Sequence, residues 1–225
     1  MNKGGSKVSK GILTIVLMAG LIALGLGAAI AAPSFFGYTG LVVVPTADSL
    51  NQGEYNLGAM ALNVDAGADS NVYLANMGLA DSFELGFARF KPEGERGETL
   101  INAKYMFRNE TERNPAMAVG VIDLTDETDT STYVVLSKCI GGQAKTALGE
   151  ITSPMIHVGV GGGRLDGIFG GVSATLGERF TLMAEYDSRD VNFGARLALT
   201  SEIRIHAALL DGEDVGTGIS FNKLF

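Results

Sequence analysis

The sequence predicts an all-β protein: an antiparallel transmembrane β-barrel of about 12 strands, with 10 or 14 as the alternative counts, behind an N-terminal signal peptide. Three observations predict it. Apolar residues recur at every second position through much of the chain beyond residue 53, the period of a strand with one oily face. The alternating segments cluster near the ~9–11 residues a tilted strand needs to cross a bilayer. No uncharged apolar run of 18 residues follows the leader, so no second membrane helix competes with the strands.

The leader comes first. Lys3, Lys7 and Lys10 make a positive start, Gly11 to Ile30 carry no charge, and Ala29-Ile30-Ala31 supplies the small residues a signal peptidase requires. This order predicts a signal peptide over residues 1–31, cleaved before Ala32; an uncleaved anchor is the alternative, because the run is long enough to span a bilayer. Without those residues 14 bases face 25 acids, a net of −11. That balance argues against nucleic acid and against docking on an anionic leaflet through a basic patch. The single Cys139 excludes an internal disulfide framework. Gly is abundant, 31 of 225 residues, roughly double the usual share.

Residues 32–53 read as a lead-in. Pro45 in "VVVPTA" lacks a backbone donor and is a poor interior strand residue. The stretch is expected to be a short extended piece ending in a turn, placed in the lumen or against the periplasmic rim. A strand at 38–44 is the alternative, and it would need another within 144–152, giving 14.

Residues 54–225 form the barrel, with strands expected at 54–64, 70–78, 82–90, 99–108, 115–123, 131–140, 155–163, 167–176, 179–187, 190–199, 202–210 and 214–225. "RFTLMAEYD", "VNFGARLAL" and "EIRIHAALL" show the alternation most plainly, setting Phe180, Phe193 and Ile203 on the oily face. The joints at 79–83, 176–180 and 199–203 share one pattern, an apolar residue, three small or polar ones and another apolar. They are assigned to one rim, and the more acidic connections to the other, the layout of an outer-membrane barrel. Residues 141–153 are long for the short-turn rim. The chain ends in "GISFNKLF", whose terminal Phe225 resembles the recognition signal of outer-membrane barrels. A soluble sandwich is the competing fold, but its core would have to be built from Gly-rich faces, which supply little packing volume.

Hydrocarbon offers the backbone no hydrogen-bond partner, so such a sheet must close. Its inward face then receives Glu84, Lys104, Glu185, Asp187, Arg196, Arg204 and His206. These charges are expected to pair with one another and brace the wall; a selectivity element lining a pore is the alternative.

"GYTGLVVVPTADSLNQGEYNLG" is similar to the start of the YjbH family, outer-membrane β-barrel proteins associated with exopolysaccharide production. The likeness is carried by Gly37, Gly40-Leu41, Pro45-Thr46-Ala47, Gly53 and Leu57-Gly58. "NMGLADSFELGF" (76–87) and "MAEYDSRDVNFGARLAL" (183–199) look alike as well. The chain resembles a single, short barrel unit of that family. The resemblance implies a non-enzymatic outer-membrane protein supporting exopolysaccharide export or surface assembly, with polysaccharide-export components as partners.

From the residues alone, the expected surroundings are outer-membrane lipid and lipopolysaccharide, and the barrel-assembly machinery acting through the strand that ends at Phe225. No cofactor or metal site is expected. "IDLTDETDTST" (122–132) lacks the Asp-x-Asp-x-Asp-Gly spacing of a calcium loop and reads as a solvated outer loop, with weak cation bridging to lipopolysaccharide as the alternative. "GVGGGRLDG" (159–167) reads as a glycine-rich hairpin tip. Two other functions compete with the polysaccharide role. One is a passive porin for small solutes, motivated by the charged inward face. The other is a membrane-embedded hydrolase using His157 and His206, although no nucleophile motif surrounds any Ser.

Overall fold

A computed structural model describes residues 31–65, 67–141, 144–146, 149–151, 154–177 and 179–224. The expected signal peptide, apart from Ala31, and the terminal Phe225 lie outside the described residues.

Twelve strands build the wall: β1 Glu54–Asn63, β2 Ser70–Ala80, β3 Phe83–Pro92, β4 Glu98–Arg108, β5 Ala116–Ile122, β6 Ser131–Cys139, then β9 Met155–Gly161, β10 Gly167–Leu176, β11 Phe180–Tyr186, β12 Val191–Ala198, β13 Ile203–Leu210 and β14 Asp214–Leu224. Between β6 and β9 lies a small hairpin, β7 Ala144–Thr146 and β8 Gly149–Ile151. It stands outside the wall, because β6 pairs directly with β9. A single bridge between Ile151 and Leu176 ties it to β10.

Every wall strand is antiparallel to both neighbours, and the sheet closes. β1 pairs with β14 from Glu54↔Leu224 to Asn63↔Val215, and β10 with β11 from Gly170↔Tyr186 to Leu176↔Phe180. Closure leaves no free edge, the condition a bilayer imposes on a sheet. The outer face is oily: Phe87, Phe107, Val158, Ile168, Phe193 and Ile219 are all exposed, Phe193 by 51 % and Ile168 by 71 %. An apolar surface that wraps a whole barrel fits a bilayer and not water.

The rims differ from expectation in one respect. Both ends of the wall, Glu54 and Leu224, meet on one rim, called here the terminal rim. It carries the tight turns between β2 and β3, β10 and β11, and β12 and β13. It also carries the two longer connections β4–β5 and β6–β9, so loop length does not separate the rims cleanly.

The barrel is not hollow. Residues 32–50 enter from the terminal rim, fold back within the lumen, and return through Asn51 to β1, held by bridges Pro33↔Thr39 and Gly40↔Pro45. Phe35, Tyr38, Leu41, Val42, Val43, Val44 and Ala47 are buried there. They pack on inward residues of the wall, among them Met60, Leu74, Leu100, Tyr133, Val135, Phe169 and Met183. The chain therefore has two apolar surfaces, a lipid-facing band outside and a small core around this plug inside.

Candidate functional site

The plug's backbone creates the central chemical problem of the lumen. Without a strand ladder, its N–H and C=O groups need other partners, since unpaired buried peptide groups cost free energy comparable to a lost hydrogen bond. The inward charges supply those partners. Glu185 accepts from three successive amides, Val42 N at 2.9 Å, Val43 N at 2.7 Å and Val44 N at 3.1 Å, and from Asn192 Nδ2 at 3.1 Å. Glu84 accepts from Thr39 N at 2.7 Å, from the Thr39 hydroxyl, and from Leu50 N at 3.2 Å. Carboxylates with this many aligned donors make strong, directional anchors.

Cations take the carbonyls. Arg196 Nη2 donates to Pro33 O, Gly40 O and Leu41 O at 3.1, 2.7 and 2.6 Å. Lys104 Nζ donates to Thr39 O at 2.9 Å and lies 3.7 Å from Glu84 Oε2. The Thr39 residue is thus gripped on its N–H by an acid and on its C=O by a base. Asn102 Nδ2 donates to Phe36 O and Gly37 O, and Ser137 Oγ accepts from Ala47 N.

All seven predicted lumen residues point inward, but most of them do not pair with one another as expected. Among the described residues Glu84 and Lys104 form the one ion pair within the set. Arg196 Nε donates to His206 Nδ1 at 3.3 Å, which places the imidazole proton on Nε2, facing Ser220 Oγ at 2.8 Å. Asp187 serves its own turn, accepting from Arg189 N and Asp190 N and from Asn192 Nδ2. Arg204 has no hydrogen-bond partner at Nη1. The wall charges bind main chain, which is why side-chain pairing rules did not anticipate them.

Glycines of the wall make room for the plug. A Cβ on Gly86 would overlap the carbonyl oxygen of Gly37, one on Gly194 would lie 2.5 Å from Val42 Cγ2, and one on Gly216 would lie 2.7 Å from Phe35 Cε1. Gly37 itself has φ +74°, a conformation that favours glycine.

A cavity of about 500 Å³ remains at the terminal rim, below the plug, bordered by Asp48, Glu110, His157, Arg179, Arg196 and Arg204. The imidazole of His157 contacts Ser137 Oγ at 2.7 Å through Nδ1 and Ser173 Oγ at 3.4 Å through Nε2. Both ring nitrogens face hydroxyls, so no carboxylate orients the ring as in a nucleophile–base–acid triad. His206 is held separately by Arg196 and Ser220.

On the far rim, Asp123 is committed to its own loop. It accepts from Thr125 Oγ1, Thr128 N and Thr128 Oγ1. Burial opposes ionisation, but these donors, with the Glu127 amide, hold its carboxyl below the ordinary range. Arg164 folds in from the loop after β9, with its guanidinium 4.0 Å from the Phe36 ring centroid. Among the described residues no group of three His, Cys, Asp or Glu is placed to hold a metal ion.

The closed wall and its lipid-facing band define a membrane-spanning antiparallel β-barrel. Comparison with solved structures agrees on the fold. The chain is similar to the KdgM porin, with TM-score 0.55 and 13% identity over 74% of this chain and 98% of that one. It is similar to the KdgM porin in complex with disordered oligogalacturonate, with TM-score 0.54 and 12% identity over 74% and 98%. No protein-family model and no curated protein matches the sequence. At these identities the likeness is one of fold.

Proposed function

We propose that this chain is a non-enzymatic outer-membrane barrel of the YjbH type, sealed by its own N-terminal segment, that supports export or surface assembly of an exopolysaccharide. One observation supports this reading above others: the three stretches that resemble the family meet in space. Residues 37–50 of the first belong to the plug. The second supplies Glu84 and Gly86, which receive Thr39 and Gly37. The third supplies Glu185, Gly194 and Arg196, which receive Val42–Val44, the Val42 side chain and the Leu41 carbonyl. A likeness that follows a plug and its sockets is a likeness of mechanism-bearing parts, not of generic strands. Its partners are outer-membrane lipid, lipopolysaccharide, the barrel-assembly machinery and polysaccharide-export components.

A second reading, a passive porin for small solutes, is favoured by the fold shared with the KdgM porin and by the polar cavity at the terminal rim. It requires the plug to move. Deleting the gene separates the two. The polysaccharide role predicts reduced cell-surface polymer with unchanged uptake of small solutes. Unchanged polymer with slowed solute uptake would replace it by the porin role.

A further inference from the structure

Arg204 stands apart from the other charges of the lumen. It sits on β13 opposite Ala198 and Ser220, with its side chain 6 % exposed and bordering the terminal-rim cavity. Its Nη1 is buried with no hydrogen-bond partner, and among the described residues no carboxylate lies within ion-pair distance of it. The acids that share the cavity are otherwise placed. Glu110 pairs with Lys138 at 2.9 Å, Glu54 accepts from Asn51, and Asp48 is exposed. The next inward cation, Arg196, lies one diagonal away across the β12–β13 ladder, where Arg196 faces His206. Arg196 is met by carbonyl dipoles and His206 rather than by an acid. Arg196 and Arg204 thus border the same cavity as Arg179, and among the described residues no carboxylate lies within ion-pair distance of either Arg196 or Arg204. A buried, uncompensated charge is strongly unfavourable unless something pairs with it.

We propose that this end of the lumen is an anion-binding site, in which Arg204 takes the carboxylate or phosphate oxygens of a small solute entering from the terminal rim. A guanidinium presents a planar fork of donors that fits either oxyanion in a bidentate manner. The cavity, about 500 Å³, falls within the range of small-molecule sites and accommodates a solute of monosaccharide or disaccharide size. The site holds whether the barrel serves a polymer or a free solute, so it stands independently of the function proposed above.

The test uses the full barrel folded in detergent, titrated calorimetrically with glucuronate, inorganic phosphate and neutral glucose. Saturable binding of at least one anion, absent for glucose and weakened by added NaCl, is the expected result. Binding of glucuronate alone identifies a carboxylate ligand, and of phosphate alone a phosphoryl one. Arg204→Gln should weaken binding by at least about tenfold, the loss of a charged hydrogen bond. Arg204→Lys should keep part of it, and Lys223→Gln, a change at the surface pair with Glu202, should alter nothing. Because Arg204 has no structural partner, Arg204→Gln should also unfold no more readily than the parent when no anion is present. Absence of saturable binding in the parent, parent-like affinity in Arg204→Gln, or a clear loss of anion-free stability in that variant would each overturn the proposal.

Discussion

Replacing Glu185 by Gln tests the plug's strongest anchor with almost no change of shape. The carboxylate accepts four donors, two on each oxygen: Val42 N and Val44 N on Oε2, Val43 N and Asn192 Nδ2 on Oε1. Gln keeps one oxygen and turns the other into an NH₂ group. In either orientation two donors then face a donor. The orientation that keeps the oxygen at Oε2 retains Val42 N and Val44 N and loses only the Val43 amide from the tip. A hydrogen bond to a charged group contributes about 1.5–3 kcal/mol, so the tip should lose roughly that much local protection. In exchange kinetics that is about tenfold to a hundredfold faster opening. Hydrogen–deuterium exchange of the peptide spanning 42–44 measures it directly, with retained heat-modifiable gel mobility showing that the wall is still closed. If exchange of that peptide in Glu185→Gln stays within about threefold of the parent, Glu185 does not hold the plug and the reasoning fails.

Three further changes test other parts of the structure. Gly86→Ala places a methyl group against the Gly37 carbonyl, so chymotrypsin should cut beside Tyr38 in this variant far faster than in the parent. Phe193→Arg puts a charge in the lipid-facing band and should destabilise the barrel by about 2–4 kcal/mol in urea titrations in lipid vesicles. Asp123 has a depressed folded-state pKa, so its stabilisation is fully present above the unfolded value near 3.9 and is lost as pH falls through the lower folded one. The parent should therefore be more stable than Asp123→Asn at pH 6, and the gap should close in strong acid.

The wall was legible because a barrel in lipid imposes a simple code. Each expected strand lies within two residues of the observed one at both ends, since an oily outer face and a mixed inner face leave period-two alternation even where β5 and β6 carry apolar residues on both sides. The plug was far less legible. Residues 32–53 have no helical or strand period, and their partners are peptide groups, which look alike in every sequence. Glu84, Glu185 and Arg196 announced themselves as inward charges, but nothing in their side chains says that they bind main chain. One signal was present: Gly86, Gly194 and Gly216 all fall on the inward face, and glycine on one face of a strand marks close approach by another backbone or a ligand. The connection between β6 and β9 was obscure for a different reason. Its β7–β8 pair has the alternation of a strand but only three residues in each arm, too short to enter the wall.

The central claim is that residues 32–50 fill the lumen and close it. Single-channel conductance in planar bilayers tests it most directly, comparing the parent with a shortened barrel that begins at Asn51. A silent parent and steady open steps in the shortened barrel are the predicted pair. Steady conductance through the parent, or silence from a shortened barrel that has folded and inserted, would contradict it.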